Sequence, residues 1–445
     1  MALMVGVSGI RGTVGETLTP AVALEFAHAY GTVLERGRVL LARDTRPSGA
    51  MFAAAAEAGL LAAGCEVTRA DVAMTPTVGY AIRSDRYAGG VVITASHNPS
   101  QWNGLKFLDD RGVAPNPQRA ARIAEIRASR TARCERSDFQ PVRTDTTIGA
   151  RHVAAVRDAV EADLSSIRGL RVVLDSVNGA GCLVTPGFLE SLGCDVVHLN
   201  GEPHGRFAHT PEPVAENLGD LCAAVRQRQA AVGFAQDPDA DRLAIVDENG
   251  TYIGEEYTLA LSVWSVLSRR RGPVAANLST SRMIDAIAER FDCRVVRTAV
   301  GEANVVEGMI ANDCVIGGEG NGGVIDPRIC WVRDSLSAMS LVLQLMAATG
   351  KRLSQLVAEI PRYAIIKQKI ECDSRERIAK ICAAAAEAFR DERLSTIDGT
   401  RIDFDQGWVH LRGSNTEPII RVMAEADSAD VAEQLIRRVR SAVGL

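Results

Sequence analysis

Short apolar runs alternate along the chain with stretches of helical periodicity. ALEFAHAYGTVLE reads as a helix, GRVLLARD as a buried strand, and GAMFAAAAEAGLLAAG as a long Ala-rich helix. CEVTRADVA and GGVVITAS then read as strands. The rhythm restarts at RGLRVVLDSVNGAG, passes through the helix CLVTPGFLESLG and reaches the strand CDVVHLN. It appears a third time in GPVAANLSTS, the helix RMIDAIAERF, the strand CRVVRTAV and a further helix before DCVIGGEG. Strand–helix–strand units of this kind predict mainly parallel sheets covered by helices.

Three restarts of one pattern predict three similar α/β domains with mixed, mainly parallel sheets. The last segment differs: a strand through YAIIKQKIEC, the helix RERIAKICAAAAEAFRDE, a strand-like RIDFDQGWVHLRG and a final amphipathic helix. It predicts a smaller C-terminal α+β domain. The polar stretch SRTARCERSDFQPVRTD at 129–145 reads as a first linker, and the domains are placed at 1–145, 146–252, 253–363 and 364–445.

A chain of 445 residues is too long for one core, in keeping with several domains. Hydrophobic residues at 47% and charged residues at 24% are ordinary for a soluble globular protein. A net charge of −5 leaves no basic footprint, which argues against nucleic-acid binding. No apolar run reaches the length of a membrane span, and MALMVGVSGIRG lacks the features of a signal peptide. Ten scattered cysteines without a CxxC pair fit a reducing, cytoplasmic setting.

Polar loops that follow apolar strands are where α/β proteins place ligands, and four stand out. The first is TASHNP, with Ser96 beside His97. Adjacent side chains on extended backbone face opposite ways, and no GxSxG surrounds the serine, so a catalytic triad is poorly supported. A plain turn remains open, and SQWNGLKF adds Lys106 beyond an Asn-Gly turn. The second is FAQDPDADRLAIVD, where Asp237, Asp239 and Asp241 alternate on what would be one side of an extended loop. Crowded carboxylates suit Mg²⁺ or Ca²⁺, and an unstructured surface acidic run is the alternative. An EF-hand fails because its sixth position, which wants glycine, is Arg242.

The third is VIGGEGNGGVI, whose glycines allow close approach and whose Glu319 and Asn321 suit sugar hydroxyls; a ligand-free hairpin is the alternative. The fourth is HLRGSNTEPIIRVMAEA. Arg412, Ser414, Asn415 and Thr416 around Gly413, with Arg421 further on, would wrap a phosphate; a polar turn is the alternative. Together a serine, a metal loop, a hydroxyl-binding loop and a phosphate loop suit phosphoryl transfer to or from a sugar.

These stretches, with SGIRG near the start and ARDTRPSG at 42–49, lie in the order found in the α-D-phosphohexomutase superfamily, and the whole chain resembles it. The resemblance implies four domains around a central cleft. It implies a phosphoryl group on Ser96, and Mg²⁺ on Asp237, Asp239, Asp241 and the phosphoserine, with Arg242 offsetting charge. It implies a hexose 1,6-bisphosphate intermediate and places His97, Lys106 and Arg11 near the proton transfers, Arg11 mainly as a charge. One common family form carries a serine and then a histidine in the sugar loop; here Asn321 and Gly323 stand there, so that histidine's role is absent. The expected activity is conversion of glucosamine 6-phosphate to glucosamine 1-phosphate by a monomer or homodimer. The same chemistry on glucose or mannose phosphates is the alternative; a metal-dependent sugar phosphatase and a phosphosugar-binding protein are the rivals.

Overall fold

Three times the chain lays down two parallel strands, adds a third on the other side of the first, and returns antiparallel beside the third. In the computed structural model, which describes residues 3–129, 140–372, 374–414 and 419–445, the first such sheet runs Glu66–Val72, Arg38–Arg43, Gly89–Ile93, Trp102–Leu108. The second runs Asp195–Leu199, Arg171–Asp175, Val232–Gln236, Leu243–Asp247, and the third Val295–Thr298, Val274–Asn277, Ile316–Glu319, Gly323–Ile325. The third strand of each unit, GGVVI, VGFAQ and IGGE, is buried at every residue, as expected for a strand covered on both faces. Its connection to the antiparallel fourth strand leaves from the carboxyl end of a parallel strand. The serine loop, the aspartate loop and the glycine loop are therefore topologically equivalent, which explains why three distant stretches meet.

The first sheet is the most mixed. Gly9–Thr13 pairs antiparallel with Trp102–Leu108 and carries Met4–Gly6 outside it, while Arg143–Thr144 closes the other edge in parallel. Asn103 and Gly104 lie inside this sheet, so the expected Asn-Gly turn is absent. Gly104 is glycine for space, since a Cβ there would stand 2.4 Å from the Ile10 carbonyl oxygen. Helix starts follow local chemistry: Thr19 and Asn116 cap Pro20–Val33 and Pro117–Ala128, each with proline just inside.

The second and third units share one apolar core. Helices Glu255–Leu267 and Ser335–Thr349, buried along most of their length, pack together inside it. The C-terminal unit has its own core under a five-stranded antiparallel sheet. There RIDFDQGWVHLRG is a hairpin rather than one strand: Phe404 pairs with Gly407, leaving Asp405 and Gln406 as its turn. This unit docks on the third through Val300 N–H donating to Asp398 Oδ2 (2.9 Å), Ser279 Oγ against His410 Nδ1 (2.9 Å), and Arg282 N–H donating to Glu425 Oε1 (3.0 Å). Among the described residues no helix is long and apolar enough to cross a membrane.

Candidate active site

The serine loop is held by the ARDTRPSG segment. Arg46 is fully buried; its Nε pairs with Asp44 Oδ2 at 3.0 Å, and its other nitrogens donate to the carbonyls of Ser96 (2.7 Å), Asn98 (2.6 Å), Pro99 (2.8 Å) and Trp102 (2.9 Å). Asp44 Oδ2 also accepts from Thr94 Oγ1, which accepts from Ser96 N–H. Under this clamp Ser96 adopts φ +50°, a left-handed conformation costly for a residue with a Cβ. That conformation corrects the expectation that Ser96 and His97 face apart: Ser96 Oγ lies 3.2 Å from His97 Nδ1. Burial, reinforced by Arg242 and Arg11, holds His97 far below the usual imidazole range, so the ring is neutral.

Ser96 Oγ donates to Asp237 Oδ2 at 2.9 Å. The aspartates gather by a turn rather than by an extended strand, because Ala240 takes φ +55° and its N–H bonds back to the Asp237 carbonyl at 2.9 Å. One oxygen from each of Asp237, Asp239 and Asp241 falls within a 4.8 Å cluster, and all three residues are fully buried. Lys106 Nζ donates to Asp239 Oδ2 (2.7 Å) and Asp241 Oδ2 (3.0 Å), yet Asp239 Oδ1 and Asp241 Oδ1 have no hydrogen-bond partner. Buried acceptors without donors are costly unless a cation or water satisfies them. Burial, then the neighbouring Asp241 and Asp239, raises Asp237 well above the carboxylate range. Crowded hard oxygens with two orphaned lone-pair sites fit a divalent cation such as Mg²⁺.

Burial opposes the charge on Lys106, but Asp239 and Asp241 outweigh it and hold the ammonium above the ordinary lysine range. Arg11 donates to Asn98 Oδ1 at 3.1 Å, and Arg242 N–H donates to Asp237 Oδ1 at 3.1 Å. The Arg242 Nε makes no hydrogen bond. Arg11, Lys106 and Arg242 line a cleft of about 1460 Å³, together with Glu319, Asn321, Arg333 and Ser414. Ser96 lies just behind this lining, 1% exposed.

GEGNGG is a tight hairpin. Gly322 takes φ +84°, and its carbonyl accepts from Leu243 N–H at 3.0 Å, joining the glycine loop to the end of the aspartate loop. Glu319 is engaged within the protein, accepting from Asn277 Nδ2 (2.9 Å), Gly301 N–H (3.2 Å), Arg333 (2.8 Å) and Asn321 Nδ2 (3.4 Å). Glu302, a cleft residue absent from the sequence reading, accepts from the Arg333 Nε (2.8 Å) and backbone N–H (3.2 Å) through one oxygen, Oε2. In the C-terminal unit Arg412 faces Arg421 directly across the antiparallel pair, and Asp398 Oδ2 accepts from Arg412 Nε at 3.0 Å. Asn415 and Thr416 lie outside the described residues.

The sequence reading also assigned no role to Arg46, although its motif was in view, or to Arg333. Arg333 had one signal, an Arg-Asp pair directly before the apolar helix SLSAMSLVLQLM, which Asp334 caps by accepting from Leu336 and Ser337 N–H.

Comparison with known proteins places this geometry. Family models for phosphoglucomutase/phosphomannomutase α/β/α domains I, II and III match residues 2–133, 150–250 and 255–363, and the C-terminal domain model matches 366–442. A probable phosphoglucosamine mutase of Methanopyrus kandleri is 39% identical over 97% of this chain and 95% of its own. A phosphoglucomutase/phosphomannomutase of Thermococcus kodakarensis is 38% identical over 98% of this chain and 97% of its own. The crystal structure of a phosphoglucomutase/phosphomannomutase family protein from Burkholderia thailandensis superimposes with a TM-score of 0.85 at 25% identity, covering 99% of this chain and 98% of that one. Matched in all four domains and along nearly its whole length, the chain belongs to the phosphoglucomutase/phosphomannomutase family, the phosphohexomutases.

Proposed function

We propose that the protein moves a phosphoryl group between the 6- and 1-positions of a hexose, with Ser96 as the carrier, and that its sugar is glucosamine. The observation that carries the proposal is Ser96 Oγ on Asp237, at the edge of a buried three-carboxylate cluster with two orphaned oxygens. A serine hydroxyl is a weak nucleophile at neutral pH and gains from charge neutralisation beside it. Asp237, Asp239 and Asp241 would hold Mg²⁺, which supplies Lewis-acid neutralisation of phosphoryl oxygens when bound.

The chain's own groups divide the remaining work. Arg46 fixes the Ser96 backbone, which makes positioning, the main requirement of in-line transfer, a property of the folded loop. Arg242, with its Nε unengaged, and Arg11 put positive charge at the cleft end of the serine loop. Lys106 stays protonated beside Asp239 and Asp241, so it acts on the sugar oxygen as a charge or an acid. Arg412, Ser414, Asn415, Thr416 and Arg421 would hold the phosphate that is not reacting. That one loop serves both orientations of the bisphosphate requires the sugar to turn over within the cleft.

Two relations support glucosamine. Relatives at 39% and 36% identity are named probable phosphoglucosamine mutases, and Glu302 offers the cleft a carboxylate oxygen suited to an ammonium. Side-by-side kcat/KM values for glucosamine, glucose and mannose phosphates test this. Glucosamine is expected to lead by about 10-fold or more, one charge-assisted contact's worth; equal values or a lead for mannose contradict it.

A further inference from the structure

Three carboxylates from two domains converge on one guanidinium. Arg333 donates from Nε to Glu302 Oε2 (2.8 Å), from one terminal nitrogen to Glu319 Oε2 (2.8 Å) and from the other to Asp241 Oδ2 (2.7 Å). Its backbone N–H adds a bond to Glu302 Oε2 at 3.2 Å. The side chain is 11% exposed, so these contacts are little screened. Its backbone is anchored from the next residue: Asp334 caps Ser335–Thr349 and lies 3.2 Å from His152 Nε2.

Room for Arg333 is made by a glycine. A Cβ on Gly323 would stand 2.2 Å from Arg333 Cδ and 2.9 Å from its Cγ. Gly323 lies in a regular strand and is not among the residues of positive φ, so space, not backbone freedom, demands glycine there. The sugar-loop glycine and the distant arginine form one device.

We infer that Arg333 is a positioning residue that ties the cleft carboxylates Glu302 and Glu319 to the aspartate loop through Asp241, with Gly323 left bare to admit it. Removing it leaves Glu302 and Glu319 mutually repelling and unaimed, while the aspartate loop loses a competing cation. The inference rests on the cleft being the hexose phosphate site. The test uses the full-length protein with Arg333→Met, Arg333→Lys and Gly323→Ala, and reads three quantities: Mn²⁺ binding to the dephosphorylated protein by calorimetry, steady-state kinetics, and Ser96 labelling by hexose 1,6-bisphosphate seen as intact mass.

For Arg333→Met, KM for the hexose phosphate is expected to rise by about 10-fold or more while Mn²⁺ binds at least as tightly as to wild type. Arg333→Lys, a point charge that cannot span three carboxylates, falls between. Gly323→Ala keeps the guanidinium but displaces its stem, and should raise KM in the same direction with Mn²⁺ binding unchanged. Weaker Mn²⁺ binding in step with the KM rise, or wild-type kinetics in Gly323→Ala, overturns the inference. Absence of labelling in wild type overturns the phosphoserine reading instead; normal wild-type labelling with an unchanged KM in Arg333→Met overturns this inference alone.

Discussion

Ser96 Oγ and Asp237 Oδ2 stand 2.9 Å apart across 141 residues of sequence, each on the corresponding loop of a repeated sheet. Ser96 is held there by the arginine clamp behind it; Asp237 is held by two backbone N–H groups, those of Asp241 and Arg242. The contact joins the group proposed to carry phosphate to the cluster proposed to neutralise it.

Asp237→Asn separates metal binding from folding. Burial and two like charges make the Asp237 carboxylate costly in the metal-free protein. The variant should melt no lower than wild type without metal and lose the Mg²⁺-induced rise in Tm, with kcat down by about 100-fold or more. Retained stabilisation by Mg²⁺ contradicts the ligand assignment.

Arg46→Lys tests the clamp. Lysine keeps the charge beside Asp44 but cannot reach four carbonyls in one plane. A loosened Ser96 should lower kcat by roughly 100-fold, the scale of a 1 Å misplacement, and slow labelling by bisphosphate, with KM little changed. A rise in KM at unaltered kcat would assign Arg46 to substrate binding instead.

His97 should be silent in the neutral range. Its folded pKa is depressed, chiefly by burial, so the ring stays deprotonated as pH falls through the ordinary imidazole value. Imidazole NMR of the dephosphorylated protein should show no His97 titration between about pH 5 and 8. A titration midpoint near 6.5 contradicts the electrostatics described for Arg242 and Arg11.

Much of this was legible in sequence. The strand–helix rhythm gives the three repeated units, because fully buried strands must be apolar throughout. Asp237, Asp239, Asp241 and Ser96 are marked by residue type and by following an apolar run, Lys106 by residue type inside the strand Trp102–Leu108. Less visible were features set by tertiary contact. The Ser96–His97 contact depends on a left-handed φ imposed by Arg46, 50 residues away. Gly104 and Gly323 look like turn residues, and both are glycine because a neighbour lies against them. Glu302 carries no local signature and Arg333 only the Arg-Asp pair before its helix, because the three carboxylates that meet on Arg333 come from separate stretches of chain.

A buried glutamate under the sugar loop adds a pH signature to stability. The Glu256 carboxylate lies against Gly320 and accepts from Ser281 N–H at 3.0 Å; burial pushes it up to about 8 from an ordinary 4.5, partly opposed by that bond and by Lys367 and reinforced by Glu255 and Glu425. A raised folded pKa contributes stability that is full below pH 4.5 and lost as pH rises to about 8, on the order of a few kcal/mol. Relative to wild type, Glu256→Gln should gain roughly 5 °C in Tm between acidic and mildly alkaline buffer, by scanning calorimetry. Parallel Tm curves for the two proteins contradict this.

The central claim is that Ser96 carries the phosphoryl group, and intact-mass analysis after exposure to hexose 1,6-bisphosphate tests it most directly. Wild-type protein is expected to gain the mass of one phosphoryl group, mapped to the peptide holding TASHNP, and to lose it on adding hexose monophosphate. Ser96→Ala should gain none and turn over no substrate. Full turnover by Ser96→Ala, or a label on another residue, contradicts the account.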